Sequence, residues 1–202
     1  ISDSEDFDRM DRLRASADGV MVGIGTVLAD DPSLTIKAED RRVQRLQNGR
    51  QGNPARVIAD SRARTPTDAA VLDEDADTYL LVSNAASAER RTALRIAGGT
   101  LLDAGEEQVD LTAGLASLEA EGIDRLMVEG GGELIFSLFA DDLLDKLTVY
   151  VGSLVIGGRD APTLAYGDGF VEKFPELDLT AVDRLDDGVV LSYDVGERRQ
   201  RS

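Results

Sequence analysis

The chain contains no cysteine and no histidine in 202 residues. The first absence excludes a disulfide framework, a zinc finger, a CxxC redox pair and a thiolate nucleophile. The second excludes a Ser-His-Asp triad and any imidazole acid or base. Acid–base chemistry is left to Asp, Glu, Lys, Tyr, water or the substrate itself. No apolar run reaches the roughly 20 residues needed to cross a bilayer. The opening Ile1-Ser2-Asp3-Ser4-Glu5-Asp6 is acidic and is not a signal peptide. A cytoplasmic location is therefore expected. Aromatic residues are only 4%, but apolar residues reach 42%, which suits a packed core and not a disordered chain.

Positive charge is also scarce. Twenty-two basic residues stand against 39 acidic ones, for a formal net charge of −17. Lysine occurs only at Lys37, Lys146 and Lys173; every other base is arginine. Such a surface repels nucleic acid and anionic lipid at low salt, so neither is expected as a partner. Molar salt shortens the screening length to about 3 Å and relieves the self-repulsion. A salt-loving organism is the expected source, with an ordinary acidic protein as the alternative.

Helical and extended patterns alternate along the whole chain. Phe7, Met10, Leu13 and Arg14 recur at helical spacing, predicting a helix to about Ala17. Strands are predicted over 19–25, 55–60, 78–83, 100–102 and 125–129, with a short extended piece at Leu34-Thr35-Ile36. Helices are predicted over 88–97, over 111–120 ending near Gly122, and from Glu133 to Leu144. Residues 38–54 are polar and Arg-rich and read as a mobile loop. A long strand is predicted from Lys146 to Ile156. Asp186-Asp187-Gly188 between two apolar runs signals a closing hairpin. Strands alternating with helices imply an α/β fold with a mostly parallel central sheet, made mixed by the antiparallel hairpin, and helices on both faces. One domain over 1–195 is expected, with a disordered tail at 196–202.

Four clusters are candidates for chemistry. Glu129-Gly130-Gly131-Gly132-Glu133 joins a strand end to a helix start, where free backbone N–H groups and the helix dipole favour an anion. A tight turn is the plain alternative. Gly23-Ile24-Gly25 invites a dinucleotide fingerprint but fails it, because Leu28 stands where the third glycine belongs, and no P-loop occurs. What remains is a strand, the hydroxyl of Thr26 and the turn Asp30-Asp31-Pro32. Asp60-Ser61-Arg62-Ala63-Arg64-Thr65-Pro66 follows a strand end; Ser61 can donate to an anion, and Arg62 or Arg64 can grip one. Gly157-Gly158-Arg159-Asp160-Ala161-Pro162 is a shaped loop that either lines a cleft or only connects.

Together these segments resemble the reductase of riboflavin biosynthesis. The resemblance runs through Leu13-Arg14-Ala15, Asp18 to Thr35, Ile58-Ala59-Asp60-Ser61, Val128-Glu129-Gly130-Gly131-Gly132 and Gly157 to Leu164, in family order. It implies a dihydrofolate-reductase-like fold and NADPH-dependent reduction of a phosphorylated ribosylamino-pyrimidine to its ribitylamino product. The stand-alone form resembles the archaeal branch, acting on the diaminopyrimidinone, with the deaminated pyrimidine or a pterin-like compound as alternative substrates. A non-catalytic module on the same fold is a further alternative.

By resemblance, Thr26, Asp30, Ser61, Gly130, Gly131, Gly132 and Glu133 are cofactor residues. Arg14, Leu34, Lys37 and Glu129 lie on the substrate side. Glu129 is also the candidate catalytic residue, with a structural turn role as its alternative. Lys37 stands where a relative carries Arg. No metal is implied, and the hydride passes directly to C1′ of the opened sugar. Family members begin with a strand that has no counterpart from Ile1 onward, so a leading segment is expected. A homodimer is expected, with Leu147–Ile156 as a candidate interface.

Overall fold

The computed structural model describes residues 4–158, 161, 163–172 and 174–196. Five parallel strands form the larger sheet: β1 (Gly19–Gly23), β2 (Ala55–Ala59), β3 (Thr78–Val82), β4 (Thr100–Asp103) and β5 (Leu126–Gly130), in the order β4-β3-β2-β1-β5. Parallel strands buried on both faces read as continuous apolar runs. In β1, Val20, Met21 and Val22 are all buried. Their side chains alternate faces. Val20 and Val22 join Ile58, Leu80 and Val82 in one core layer, and Met21 joins Val57 and Leu81 in the other.

Helices cover both faces, as expected. α2 (Ile24–Asp30) and α4 (Ala88–Ile96) supply Ile24, Val27 and Leu94 to the first layer. α5 (Leu111–Ala120) and α6 (Gly132–Ala140) supply Leu111, Leu118, Leu134 and Leu138 to the second. The hairpin is antiparallel, as expected: β7 (Leu177–Leu185) and β8 (Gly188–Val195) turn through Asp186, whose φ is +49°. It pairs with β6 (Lys146–Val151) as a separate three-stranded sheet of order β6-β8-β7 instead of adding an edge to the parallel sheet. Among the described residues, the outer edge of β5 has no strand partner.

Several expectations change. The strand predicted to Gly25 stops at Gly23, and Ile24 opens α2, so Gly25 and Thr26 sit on a helix. Leu34-Thr35-Ile36 makes no ladder; Leu34 is buried at φ +52°. The segment read as a mobile loop contains α3 (Glu39–Gln47). Its core-facing residue is Arg45, which donates to the carbonyls of Ala15 and Ala17 at 2.9 and 2.7 Å. Those carbonyls end α1 (Ser4–Ser16), so a buried guanidinium takes the role that an apolar stripe would have announced. α1 also turns its face: Phe7 is 65% exposed, while Asp6 and Asp11 are buried. α6 ends at Ala140, four residues early, near a left-handed Asp142. β6 ends at Val151, leaving Leu154, Val155 and Ile156 exposed. Residues 197–202 of the predicted tail lie outside the described residues; Gly196 donates to the Glu176 carbonyl.

Candidate active site

The strand order reverses between β1 and β5. From β1 the chain steps outward through β2, β3 and β4, then returns to the other side of β1 as β5. Parallel connections leaving such a point in opposite directions open a crevice at the carboxyl ends of the strands, where open α/β sheets bind ligands. The residues singled out from the sequence line these ends. Thr26 lies in the first turn of α2, directly after β1. Gly130 ends β5, and Gly131 precedes α6.

The two strand ends are joined by a hydrogen bond. The Gly131 N–H donates to Thr26 Oγ1 at 3.2 Å. The start of α6 carries no side-chain cap, in contrast to α4, capped by Ser87, and α5, capped by Asp110. Its first-turn N–H groups are therefore left for another acceptor. The glycines differ in what they permit. Gly130 sits at φ +136° with open space where a Cβ would be. A Cβ on Gly131 would meet only Thr26 Oγ1, at 3.4 Å. A Cβ on Gly132 would press on Tyr166 and the Thr163 carbonyl at 3.0–3.3 Å. The bend is half-buried, packed on its Gly132 side and open on its Gly130–Gly131 side. That open, donor-lined bend fits a dinucleotide pyrophosphate. A separate open depression of about 420 Å³ on the packed side is lined by Glu133, Phe136, Ser137, Tyr166, Gly167 and Asp168. Its two carboxylates suit no phosphate. Glu133 is exposed in the first turn of α6.

Glu129 reaches the site through a register shift. Met21 pairs with Val128, but Val22 pairs with Gly130, so Glu129 is the extra residue of a bulge in β5. Bulges re-aim side chains, often next to active sites. The Glu129 carboxylate is gripped by Arg14 of α1, with Nε and Nη2 both at 2.6 Å. Both side chains are mostly buried, and the Glu129 hydrogen bonds raise the Arg14 guanidinium above its ordinary value against the pull of burial. Arg14 Nη1 also donates to the Thr35 carbonyl at 3.0 Å.

That carbonyl belongs to the remaining substrate-side group. Lys37 Nζ donates to Ser33 Oγ and Thr35 Oγ1 at 2.8 and 3.0 Å. Leu34, between them, is left-handed and buried. Arg14 and Glu129 are thus brought against the Ser33–Lys37 segment, while the Leu34 side chain packs in the core layer of Val20 and Val22. Asp11, a residue that sequence reasoning missed, fixes this segment by accepting from the N–H groups of Lys37 and Ala38 and from Arg41. Burial raises its carboxyl, but those three donors together hold it below the ordinary aspartate range. No local sequence signal marks it, because its partners are 26–30 residues away.

The other cofactor candidates are more peripheral. Asp30 is exposed, one turn beyond Thr26 on α2. Asp31 is left-handed and accepts from the Ala70 N–H at 2.8 Å, so Asp30-Asp31-Pro32 is a turn as well as a site flank. Ser61 follows β2, and its Oγ accepts from the Val109 N–H at 3.0 Å. The Arg-rich stretch supplies no free positive patch: Arg41 is bound to Asp8 and Asp11, and Arg45 and Arg50 to the end of α1. In the 157–162 loop, Arg159, Asp160 and Pro162 lie outside the described residues. Among the described residues no cluster of carboxylates could hold a metal, and no helix is long and apolar enough to cross a membrane.

Comparison with known proteins bears on the family and the fold. The chain is 44% identical over 193 residues to the 2,5-diamino-6-ribosylamino-4(3H)-pyrimidinone 5′-phosphate reductase of Archaeoglobus fulgidus, covering 95% of this chain and 86% of that one. It is 40% identical over 197 residues to the enzyme of the same name from Methanothermobacter thermautotrophicus, covering 96% and 88%. Among solved structures, a pyrimidine reductase-like protein from Corynebacterium diphtheriae superposes with a TM-score of 0.77 at 18% identity, over 97% of this chain and 83% of that one. The riboflavin biosynthesis reductase Rib7 of Saccharomyces cerevisia gives 0.73 at 21% identity, over 96% and 82%. These two likenesses bear on the fold, which is of the expected dihydrofolate-reductase-like class. The model of the RibD C-terminal domain matches residues 1–191, and the chain belongs to that family.

Proposed function

We propose that the chain reduces 2,5-diamino-6-ribosylamino-4(3H)-pyrimidinone 5′-phosphate to the ribitylamino product of riboflavin biosynthesis, with NADPH as reductant. The carrying observation is the meeting of two groups at the end of β5. Gly131, on its open bend, bonds Thr26, and two residues earlier the bulged Glu129 is clamped by Arg14. The two archaeal relatives support the substrate class.

The bound nicotinamide supplies the hydride; the protein's work is binding and orientation. The backbone N–H groups from Gly130 to Glu133 and the Thr26 hydroxyl face the cofactor phosphates. Asp30 and Ser61 flank its outer end. On the other side, Arg14 fixes the Glu129 carboxylate in one orientation. A carboxylate has about four lone-pair sites, so two remain after the Arg14 fork to accept from pyrimidine amino groups. Lys37 has given two of its three N–H donors to Ser33 and Thr35. The third is available to a substrate phosphate. Leu34, buried in the core, anchors the segment that carries Lys37.

The expected enzyme is cytoplasmic and homodimeric. The exposed Leu154, Val155, Ile156 and Val171 beyond β6 support a second copy as their cover. Light scattering on the purified chain tests this, and a monomer at micromolar concentration would overturn it.

The activity itself is tested by loss of reduced-nicotinamide absorbance on adding the diaminopyrimidinone ribosyl phosphate. Turnover is expected with that compound, with Glu129→Gln raising its KM and leaving the KM for NADPH unchanged. Turnover only with the deaminated compound would move the substrate assignment. No turnover with either would defeat the reading.

A further inference from the structure

A buried chain segment outside any ladder must find other partners for its backbone groups. The strap of residues 33–38 finds them in side chains from other elements. Arg56 of β2 donates to the Ser33 carbonyl at 2.9 Å, and Arg14 of α1 to the Thr35 carbonyl at 3.0 Å. Asn53 accepts from the Ile36 N–H at 3.0 Å, and Arg42 of α3 donates to the Ile36 carbonyl at 3.2 Å. The Asp11 carboxylate takes the far end. Its Oδ1 accepts from the Lys37 N–H at 2.6 Å and its Oδ2 from the Ala38 N–H at 3.2 Å. Leu34 and Ile36 are buried beneath the strap, and Lys37 stands exposed on it.

Asp11 and Arg14 are three residues apart on α1, a spacing that puts them on one face. Asp11 is buried, and Arg14 mostly so. Through Arg14 that face also holds the bulged Glu129, with Nε and Nη2 both at 2.6 Å. One helix face therefore grips both the strap and Glu129. Asp11 is itself braced from α3: Arg41 donates to its Oδ2 at 2.9 Å and also pairs with Asp8, one turn earlier on α1. The Lys37 side chain is fixed from two directions. Its backbone is tied to Asp11, and its Nζ donates to Ser33 Oγ and Thr35 Oγ1 at 2.8 and 3.0 Å. Lysine has much rotamer freedom to lose on binding, and this double fixing removes it before any ligand arrives.

We propose that Asp11 is a positioning residue: it sets the spacing between the Lys37 ammonium and the Glu129 carboxylate, and so selects a substrate with a phosphate at one end and pyrimidine amino groups at the other. The inference rests on the substrate reading above, in which Lys37 meets the phosphate and Glu129 the amino groups. It adds the residue that lets both contacts form at once. Two anchors at a fixed separation make the second contact intramolecular, so its strength depends on how rigidly the spacing is kept. Asp11 needs no contact with the substrate; its effect passes through the backbone of the strap. A packing role alone would lower stability without distinguishing a phosphorylated ligand from a dephosphorylated one.

The test measures the KM for the 5′-phosphate substrate and the inhibition constant of its dephosphorylated riboside. Asp11→Asn keeps one acceptor oxygen and turns an amide NH2 toward the remaining donors. It should raise the KM for the phosphorylated compound about tenfold, as loss of one charge-assisted hydrogen bond would, and leave the riboside constant and the KM for NADPH unchanged. Lys37→Ala should show the same selectivity. The Asp11→Asn/Lys37→Ala double variant should be no worse than Lys37→Ala, because both changes act on one contact. Arg41→Gln, which loosens Asp11 from the α3 side, should repeat the pattern at smaller size, and it carries the test if Asp11→Asn does not fold. Equal weakening of both compounds, or additive losses in the double variant, would reduce Asp11 to a packing role and overturn the inference. Selective loss in Lys37→Ala with none in Asp11→Asn would overturn it too. If Lys37→Ala leaves the phosphorylated compound unaffected, the phosphate reading of Lys37 fails and takes the inference with it. No turnover by the unmodified chain would instead defeat the proposed function itself.

Discussion

Adjacent glycines at the β5–α6 bend offer a test that separates binding from folding. Gly131 is outside the left-handed region at φ −32°, and its Cβ would lie 3.4 Å from Thr26 Oγ1. Gly131→Ala should keep the fold within about 0.5 kcal/mol, as surface changes do. Gly131→Asp would add a carboxylate beside the proposed pyrophosphate. At about 5 Å and an effective dielectric of about 20, each unit of like charge costs roughly 3 kcal/mol, or about a hundredfold in affinity. Gly132→Ala should behave in the opposite way. Its methyl would press on Tyr166 Cβ at 3.0 Å and on the Tyr166 nitrogen at 3.2 Å. Overpacking costs about 1–3 kcal/mol, offset by the 0.5–1 kcal/mol that alanine gains over glycine in a helix. The melting temperature should therefore fall for Gly132→Ala and hold for Gly131→Ala and Gly131→Asp. NADPH affinity, read by nicotinamide fluorescence, should collapse in Gly131→Asp. If Gly131→Asp binds NADPH as the parent does, the phosphates are not at this bend.

Three further outcomes follow from the same contacts. Arg56 is fully buried and donates to the carbonyls of Ser33, Val71 and Asp73 and to the Asp73 carboxylate; Arg56→Met should cost about 3–5 kcal/mol in urea unfolding, and a loss under 1 kcal/mol would show those carbonyls find water instead. Asp11 and Asp73 are both held below the ordinary aspartate range, burial being outweighed by their hydrogen bonds. Their stabilisation is complete above about pH 4 and is lost as pH falls through their lower folded values. The acid-side drop in melting temperature should be shallower in Asp11→Asn, and an unchanged slope would contradict this. The KM for NADPH should fall as salt rises from low levels toward molar, because screening relieves repulsion from a net charge of −17; a monotonic rise would mean that local cations such as Arg62 dominate the field.

The parallel sheet was legible because its strands are short apolar runs, and in β1 Gly19 to Val22 are all buried. The triglycine bend was legible because glycine at a strand–helix junction has few other uses. The Arg-rich helix was not legible. α3 has Val43 and Leu46 exposed and Arg45 inside, inverting the pattern that periodicity relies on. The same inversion leaves α1 legible as a helix but not its buried face, where Asp6 and Asp11 replace the expected Phe7. Asp11 and Arg56 pair across 15–30 residues and Arg45 reaches 28–30 residues back to the end of α1, so no local window contains those partners. Arg14 and Glu129, 115 residues apart, were assigned to one side of the site by resemblance alone. Their contact, and the bulge that creates it, belong to the tertiary structure.

These inverted faces also bear on how so acidic a chain would bind the proposed polyanionic ligands. Among the described residues many arginines act as internal cross-links. Arg45 and Arg50 close the end of α1, Arg56 ties 71–76 to Ser33, and Arg90 and Arg91 anchor the segments after β2 and β3. Cations used in this way contribute little field at the sheet's carboxyl edge. Affinity for phosphate there must come from donors with fixed direction: the uncapped N–H groups of α6, the hydroxyls of Thr26 and Ser61, and the few cations left over. Directional donors lose little when salt screens long-range charge, whereas a diffuse basic patch would lose most of its attraction. A site made this way gains from high salt on both counts, since the repulsive background fades while its contacts persist. This links the scarcity of lysine, the internal use of arginine and the glycine bend in one physical requirement.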